Sequence, residues 1–290
     1  MNTVATVKVP TPVEYDFAGT CASVTWGLGR WPNTHWDEGV LSVVGWHGGR
    51  LGWRTARMAT DDSLEVSGTA EDHYLKQWAV QALLSPLVVD TCDPVIVALD
   101  RANPGVCAFN AASLWEGLVA SVVGQGVSLA AAGVAATKLA AIVGDEVLLN
   151  GKLLMPLPSP SALAGCSVED LRLSGLTTAR IAAIIGLADA VVAGDLDLDA
   201  IASEHAISPL CAQRGIGPWT AVSALMWGVG DTRHHPTNDA ALLRAARIAY
   251  GRPAMTHREL DALAQTWGAH PGSAARLLWT SLLGRPVEAN

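Results

Sequence analysis

The sequence predicts a small N-terminal α+β domain, residues 1–92, joined to a mostly α-helical body, residues 93–290. Three observations carry this. The hydrophobic period changes near residue 70, from alternating β-prone runs to runs spaced for helices. Beyond Asp93 nearly every apolar run has helical spacing and recognisable caps. The 290 residues, 50% of them from the hydrophobic set, suffice for two domains with ample core.

In order along the chain, runs 39–46, 51–57 and 63–67 read as strands. They are separated by His47-Gly48-Gly49-Arg50 and Thr60-Asp61-Asp62, which together describe an antiparallel meander. The first separator is a hairpin turn and not a phosphate loop, since it has no lysine and no following helix. Residues 69–84 follow as a helix, with Thr69 as its N-cap. Helices are then expected over 113–123, 128–143, 168–173, 177–192, 198–204, 218–227, 239–250, 257–267 and 273–283. Thr256-His257-Arg258-Glu259 is a capping box, and Gly284 suits a stop. The alternating acids Asp195, Asp197 and Asp199 lack the following glycine and distant glutamate of a calcium loop, and read as a solvated loop and cap.

The formal net charge is -8, a balance that by itself disfavours a polyanionic partner. Its distribution is uneven. Residues 211–290 carry eight arginines against five acids, a balance of +3, which leaves -11 on the first 210. Five cysteines (Cys21, Cys92, Cys107, Cys166 and Cys211) are scattered and never spaced as Cys-x-x-Cys, so neither a disulfide framework nor zinc is indicated. His234 and His235 are adjacent but lack further ligands at metal spacing, and read as loop residues. With no leader-like segment and no apolar run of membrane length, the expectation is a cytoplasmic monomer without membrane contact.

The stretch from Leu210 to Arg244 is the most informative. Gly215-Ile216-Gly217 follows a short helical run and can continue only as a tight turn, because glycine reaches positive φ freely. Pro218 then opens a helix, where proline loses nothing. Backbone NH groups beside such a turn suit a phosphate without any lysine. Some twenty residues on, Asp239 stands at another helix start after Pro236-Thr237-Asn238, a position where the helix dipole favours a carboxylate; Asn238 is a second candidate for the cap.

These residues resemble the helix-hairpin-helix DNA glycosylase superfamily, in particular its alkylation-repair branch. The resemblance spans roughly residues 93–284. Gly215 to Ala221 is similar to that branch's hairpin, Gly230-Asp231 and Asp239 to its approach to the catalytic acid, and residues 114–116 through Gly124-Gln125-Gly126-Val127-Ser128 to its lesion-facing segment. The resemblance implies a helix-hairpin-helix fold with two helical lobes around a cleft and a partner that is double-stranded DNA bearing a damaged base. By the same analogy Arg214, Gly215, Ile216, Gly217 and Thr220 meet the DNA backbone. The backbone carbonyls of Cys211, Gln213 and Ile216 hold a structural monovalent cation. No other cofactor is implied, and because no cysteine follows Cys211 the four-cysteine iron-sulfur loop of endonuclease III relatives is not expected.

The implied reaction hydrolyses an N-glycosidic bond. Positive charge builds on the sugar, so an ionised carboxylate nearby stabilises the transition state and orients water; Asp239 matches the family's catalytic aspartate. Relatives that also cleave the strand carry a lysine just after the turn. Here Pro218 and Trp219 occupy those positions and residues 153–290 contain no lysine, which implies a monofunctional hydrolase. The base must leave the stack, and alkylated bases are often cationic, so aromatic walls gain about 0.5–2 kcal/mol by cation-π attraction. Trp219 and Trp279 match pocket tryptophans of the family, and Trp227 and Trp267 are further candidates among the chain's eleven.

Three departures stand out. Gly126 occupies the place of the residue that fills the vacated base stack, Ser223, Ala240 and Thr280 replace further pocket aromatics, and Arg214 and His270-Pro271-Gly272 depart from the family's flanking residues. Three readings follow: a monofunctional glycosylase for alkylated purines of the 3-methyladenine type in base excision repair, a non-catalytic binder of damaged DNA, and a glycosylase for an atypical or bulky lesion.

Overall fold

A computed structural model describes residues 4–22, 26, 29–47 and 49–283. The chain opens with β1 (Ala5–Pro10) and α1 (Phe17–Cys21), then runs through β2 (Thr34–Asp37), β3 (Val40–His47), β4 (Arg50–Met58) and β5 (Ser63–Gly68). These strands form one antiparallel sheet in the order β1-β5-β4-β3-β2. Along β5 burial alternates residue by residue, so Leu64, Val66 and Gly68 face the core, as a pleated strand with one covered face requires. That face is covered by α2 (Asp72–Leu83), through Leu75, Trp78 and Ala79. His47 pairs with Arg50 across the expected hairpin. β1 and β2 lie where the sequence reading placed nothing.

Thr69 does not cap α2. The helix starts at Asp72, after Glu71, because Thr69 still belongs to the sheet edge: its NH donates to the Trp53 carbonyl and its hydroxyl accepts from the Trp53 NH at 3.0 Å.

Next come β6 (Ser85–Pro86), α3 (Pro94–Arg101), β7 (Cys107–Ala108), α4 (Leu114–Gly124) and α5 (Leu129–Val143). Asp93 caps α3, accepting from the NH groups of Val95 and Ile96. A second hairpin, β8 (Val147–Leu149) and β9 (Lys152–Leu154), places Leu149 and Leu154 against Val44 on the outer face of β3. Its turn is Asn150-Gly151, with φ of 49° and 73°, the backbone of a two-residue hairpin turn.

The remaining helices are α6 (Pro160–Leu163), α7 (Thr178–Ala193), α8 (Leu198–Glu204), α9 (Ile207–Cys211), α10 (Pro218–Val229), α11 (Ala240–Ala249), α12 (His257–Ala264) and α13 (Pro271–Leu283). The helix expected over 168–173 is instead a turn followed by a 3-10 segment, Arg172–Ser174. Asp170 takes the Ser167 NH and hydroxyl at 2.6 and 2.7 Å, and such local bonds compete with helix formation. The capping box at Thr256 and Glu259 is formed. Gly284 lies outside the described residues.

The helices make two groups: α4 packs against α10, α5, α7 and α8, while α13 packs against α3 and α11. A Cβ at Gly117 would come within 2.4 Å of the Ala224 carbonyl, and one at Gly228 within 2.8 Å of the Ser113 carbonyl. These two glycines therefore let α4 and α10 touch backbone to backbone, and that crossing sets the cleft between the groups. Among the described residues no single helix is long and apolar enough to cross a membrane.

Candidate active site

The hairpin is α9, the turn at Gly215, and α10. Gly215 has φ +85°, and a Cβ there would sit 2.8 Å from the Ala183 Cβ on α7, so both backbone and packing require glycine. Gly217 differs: its φ is -92° and its ψ 175°, extended backbone open to any residue, and a Cβ there meets nothing within 4 Å. It is the N-cap of α10, and no side chain caps the helix. The NH groups of the first turn therefore have no capping side chain. The Ile216 NH is not among the bare groups, since it donates to the Gln213 carbonyl at 3.1 Å, and the Ile216 side chain is buried.

Arg214 is exposed on the outer side of the turn. Thr220, expected against the DNA backbone, is buried, and its hydroxyl accepts from Gln125 Nε2 at 2.9 Å. The same amide donates to the Gly215 carbonyl at 3.0 Å. Gln125 thus ties the end of α4 to the hairpin. Gly126 follows with φ +62°, and the Arg180 guanidinium donates to the Gln125 carbonyl beside it.

A cavity of about 160 Å³ opens between the two helix groups. Trp31, Trp219, Trp227 and Trp279 form its aromatic walls, Ser121 and Ser223 supply hydroxyls, and Asp239 stands at its edge. Trp227 and Trp279 lie 5.5 Å apart between ring centroids. Asp239 is the N-cap of α11: Oδ1 accepts from the Leu242 NH at 2.6 Å and Oδ2 from Trp219 Nε1 at 2.9 Å. Two donors thus fix the orientation of an anion at the mouth of an apolar pocket. Asn238, the other candidate for the cap, has φ +59° and precedes it.

Of the expected site residues, the structure brings together Asp239, Trp219 and Trp279 around the cavity, with Gln125 and the hairpin beside it. Trp267 is elsewhere, 1% exposed, with Nε1 donating to the Tyr250 hydroxyl at 3.0 Å. His235 lies in a loop as expected but is buried there, its Nε2 3.1 Å from Asp261. Thr280 and Ala240 do not line this cavity. The lesion-facing segment reaches the cavity only through its second half. At its start, Trp115 donates to the Pro158 carbonyl at 2.7 Å, and Glu116 turns into the sheet interface, where Asn33 Nδ2 donates to it at 3.3 Å. Burial pushes the Glu116 carboxyl up to about 7. Asp231 is also buried; desolvation opposes its ionisation, but the side-chain and backbone donors of Arg233 hold it below the usual carboxylate range.

Two pocket residues had no signal in the sequence. Trp31 arrives from the N-terminal region, packed 5.3 Å from Trp26, whose Nε1 donates to the Trp227 carbonyl at 2.9 Å. Ser121 sits mid-helix in α4. Both depend on contacts between segments remote in sequence.

No family model matches the chain. A DNA-3-methyladenine glycosylase of Bacillus subtilis (strain 168) is 27% identical over 196 residues, 66% of this chain and 64% of the relative, so the match spans just under two thirds of that relative's length. DNA-3-methyladenine glycosylase 2 of Escherichia coli (strain K12) is 28% identical over 214 residues, 72% of this chain and 73% of its own. Among solved structures, the 3-methyladenine DNA-glycosylase from Archaeoglobus fulgidus has a TM-score of 0.80 at 21% identity, over 94% of this chain and 97% of that one. With its hairpin and its two helix groups the chain has the helix-hairpin-helix glycosylase fold, and the curated relatives it resembles are alkylation-repair DNA glycosylases.

Proposed function

We propose that this protein is a monofunctional DNA glycosylase that hydrolyses the N-glycosidic bond of alkylated purines in damaged double-stranded DNA, the first step of base excision repair. The observation that carries the proposal is the Asp239 carboxylate, fixed by the Leu242 NH and the Trp219 indole at the edge of a tryptophan-walled cavity. A base turned out of the duplex would enter between the rings. Its sugar would then stand near Asp239, which stabilises the positive charge of the transition state and orients water. The names of the curated relatives favour 3-methyladenine-type lesions.

The hairpin holds the DNA backbone in this reading. The uncapped first turn of α10 offers NH groups to a phosphate, Arg214 adds a cation, and Gln125 and Thr220 brace the turn from inside. The carbonyls of Cys211, Gln213 and Ile216 would hold a hard monovalent cation that adds positive charge near the phosphate. The Gln213 carbonyl accepts one hydrogen bond, from the Ile216 NH, and a carbonyl's two lone pairs leave it free to ligate. Strand cleavage is not part of the proposal, because Pro218 and Trp219 stand where an amine nucleophile would be needed. The test is base release from duplexes that each carry one defined lesion, comparing wild type with Asp239→Asn, followed by a check for strand scission. Release with intact abasic strands is expected; absence of release from every alkylated purine would overturn the proposal.

A further inference from the structure

The cavity wall is charged from behind. Arg276, on α13 one turn before Trp279, is 5% exposed, and its guanidinium carbon stands 4.2 Å from the centroid of the Trp227 ring. It donates to the carbonyls of Phe109 and Met226 and to Asn110 Oδ1. All these partners are neutral, and no carboxylate among the described residues pairs with it. Burial lowers its affinity for the proton only to about 9, so it remains a cation at neutral pH.

We propose that the pocket selects uncharged damaged purines over cationic ones, and that Arg276, acting through the shared Trp227 ring, is the residue that sets this preference. The inference rests on the glycosylase reading above and moves its preferred lesion from the cationic 3-methyladenine type, which the names of the relatives favour, to uncharged adducts, the atypical-lesion reading of the sequence. An aromatic ring already holding a cation has less negative charge to offer a second one. Direct repulsion adds to this: two unit charges about 8 Å apart, at an effective dielectric of about 20, shift affinity by roughly tenfold or more.

The same charge assists the chemistry of an uncharged base. In the hydrolysis the C1′–N bond breaks and its electron pair leaves on the base nitrogen. A water oxygen bonds to C1′, and the water's proton ends on the released base. An uncharged base therefore carries negative charge as it departs, whereas a cationic one departs neutral and needs no help. Asp239 on the sugar side and Arg276 behind the base side have the signs that this charge separation requires. Arg276 touches neither reacting atom, so it is a positioning residue.

The test measures single-turnover release from otherwise identical duplexes carrying 1,N6-ethenoadenine, which is uncharged, or 7-methylguanine, which is cationic. Arg276→Met should depress ethenoadenine release at least about tenfold more than 7-methylguanine release, while Arg276→Lys should keep the wild-type ratio. A ratio unchanged by Arg276→Met in a folded protein overturns this inference and leaves the glycosylase reading standing; no release from either duplex overturns both. Should Arg276→Met not fold, wild-type inhibition by free bases decides. An uncharged methyladenine should inhibit more tightly than the permanently cationic 3,9-dimethyladeninium, and equal or tighter inhibition by the cation refutes the charge selection.

Discussion

Replacing Asp239 by Asn separates chemistry from architecture more cleanly than most active-site substitutions. The carboxylate does two structural tasks, capping α11 through Oδ1 and receiving the Trp219 indole through Oδ2. Asn caps a helix about as well as Asp, so its carbonyl oxygen can keep the Leu242 NH. Its amide then meets the Trp219 NH donor to donor, and that hydrogen bond is lost. A neutral hydrogen bond is worth about 1 kcal/mol net, and Trp219 is only half-buried, so water can replace part of it. Folding stability should fall by no more than about 1 kcal/mol. The lost charge acts on the transition state alone, where removal of such stabilisation costs about 100-fold or more, at least about 2.7 kcal/mol. Thermal unfolding, duplex affinity by fluorescence anisotropy and single-turnover base release read the three quantities apart. Release within a few-fold of wild type, in a variant that still binds DNA, would refute the catalytic role of Asp239.

Gly217→Val should lower the melting temperature only slightly, because φ is -92° and an added Cβ meets nothing within 4 Å, yet weaken binding to damaged and undamaged duplex alike by crowding the phosphate; unaltered affinity would remove the hairpin as DNA anchor. Gly215→Val should instead destabilise the fold by about 2 kcal/mol or more, since it combines φ +85° with a clash at Ala183, and a melting curve checks it. Gly126→Leu restores bulk beside the gap but strains a backbone at φ +62°, at about 1 kcal/mol; its melting temperature should drop, and Gly126→Ala should show the same drop without the bulk. Glu116 has its proton affinity raised from an ordinary 4.5 to about 7 by burial, so the folded state binds the proton more tightly and stability falls as pH rises between those values. The loss is absent below about pH 4.5 and complete above about pH 7, where it amounts to about 3 kcal/mol. Glu116→Gln should flatten the dependence, and equal slopes of melting temperature against pH in both proteins would contradict it.

What the sequence made legible was local. The turn at Gly215, the helix start at Pro218 and the cap at Asp239 each follow from a residue and its immediate neighbours, and each stands where the spacing puts it. The β8–β9 hairpin is equally local, marked by Asn150-Gly151 between Val147-Leu148-Leu149 and Lys152-Leu153-Leu154, a pattern too short to stand out beside the helical runs. Thr69 misled because a threonine before a helical run resembles a cap, whereas its partner is Trp53, sixteen residues back on a neighbouring strand.

The rest of the site is not local, and its chemistry lies in the non-local part. Trp279 matches a pocket tryptophan of the family and Trp267 is a further candidate, and only Trp279 lies on α13: Trp267 precedes the helix and turns into the core toward Tyr250, while Trp279 faces the cavity. Trp31 joins the wall because Trp26 reaches the end of α10, and α10 meets α4 closely because Gly117 and Gly228 have no side chains. Arg276 reads in the sequence as one of eight arginines that give this end of the chain its positive balance. Folded, it is buried under Trp227 and faces no phosphate. The positive balance of the hairpin end therefore includes one cation that acts on the base and not on the backbone, and substituting it should change lesion preference while leaving the salt dependence of DNA binding as it was.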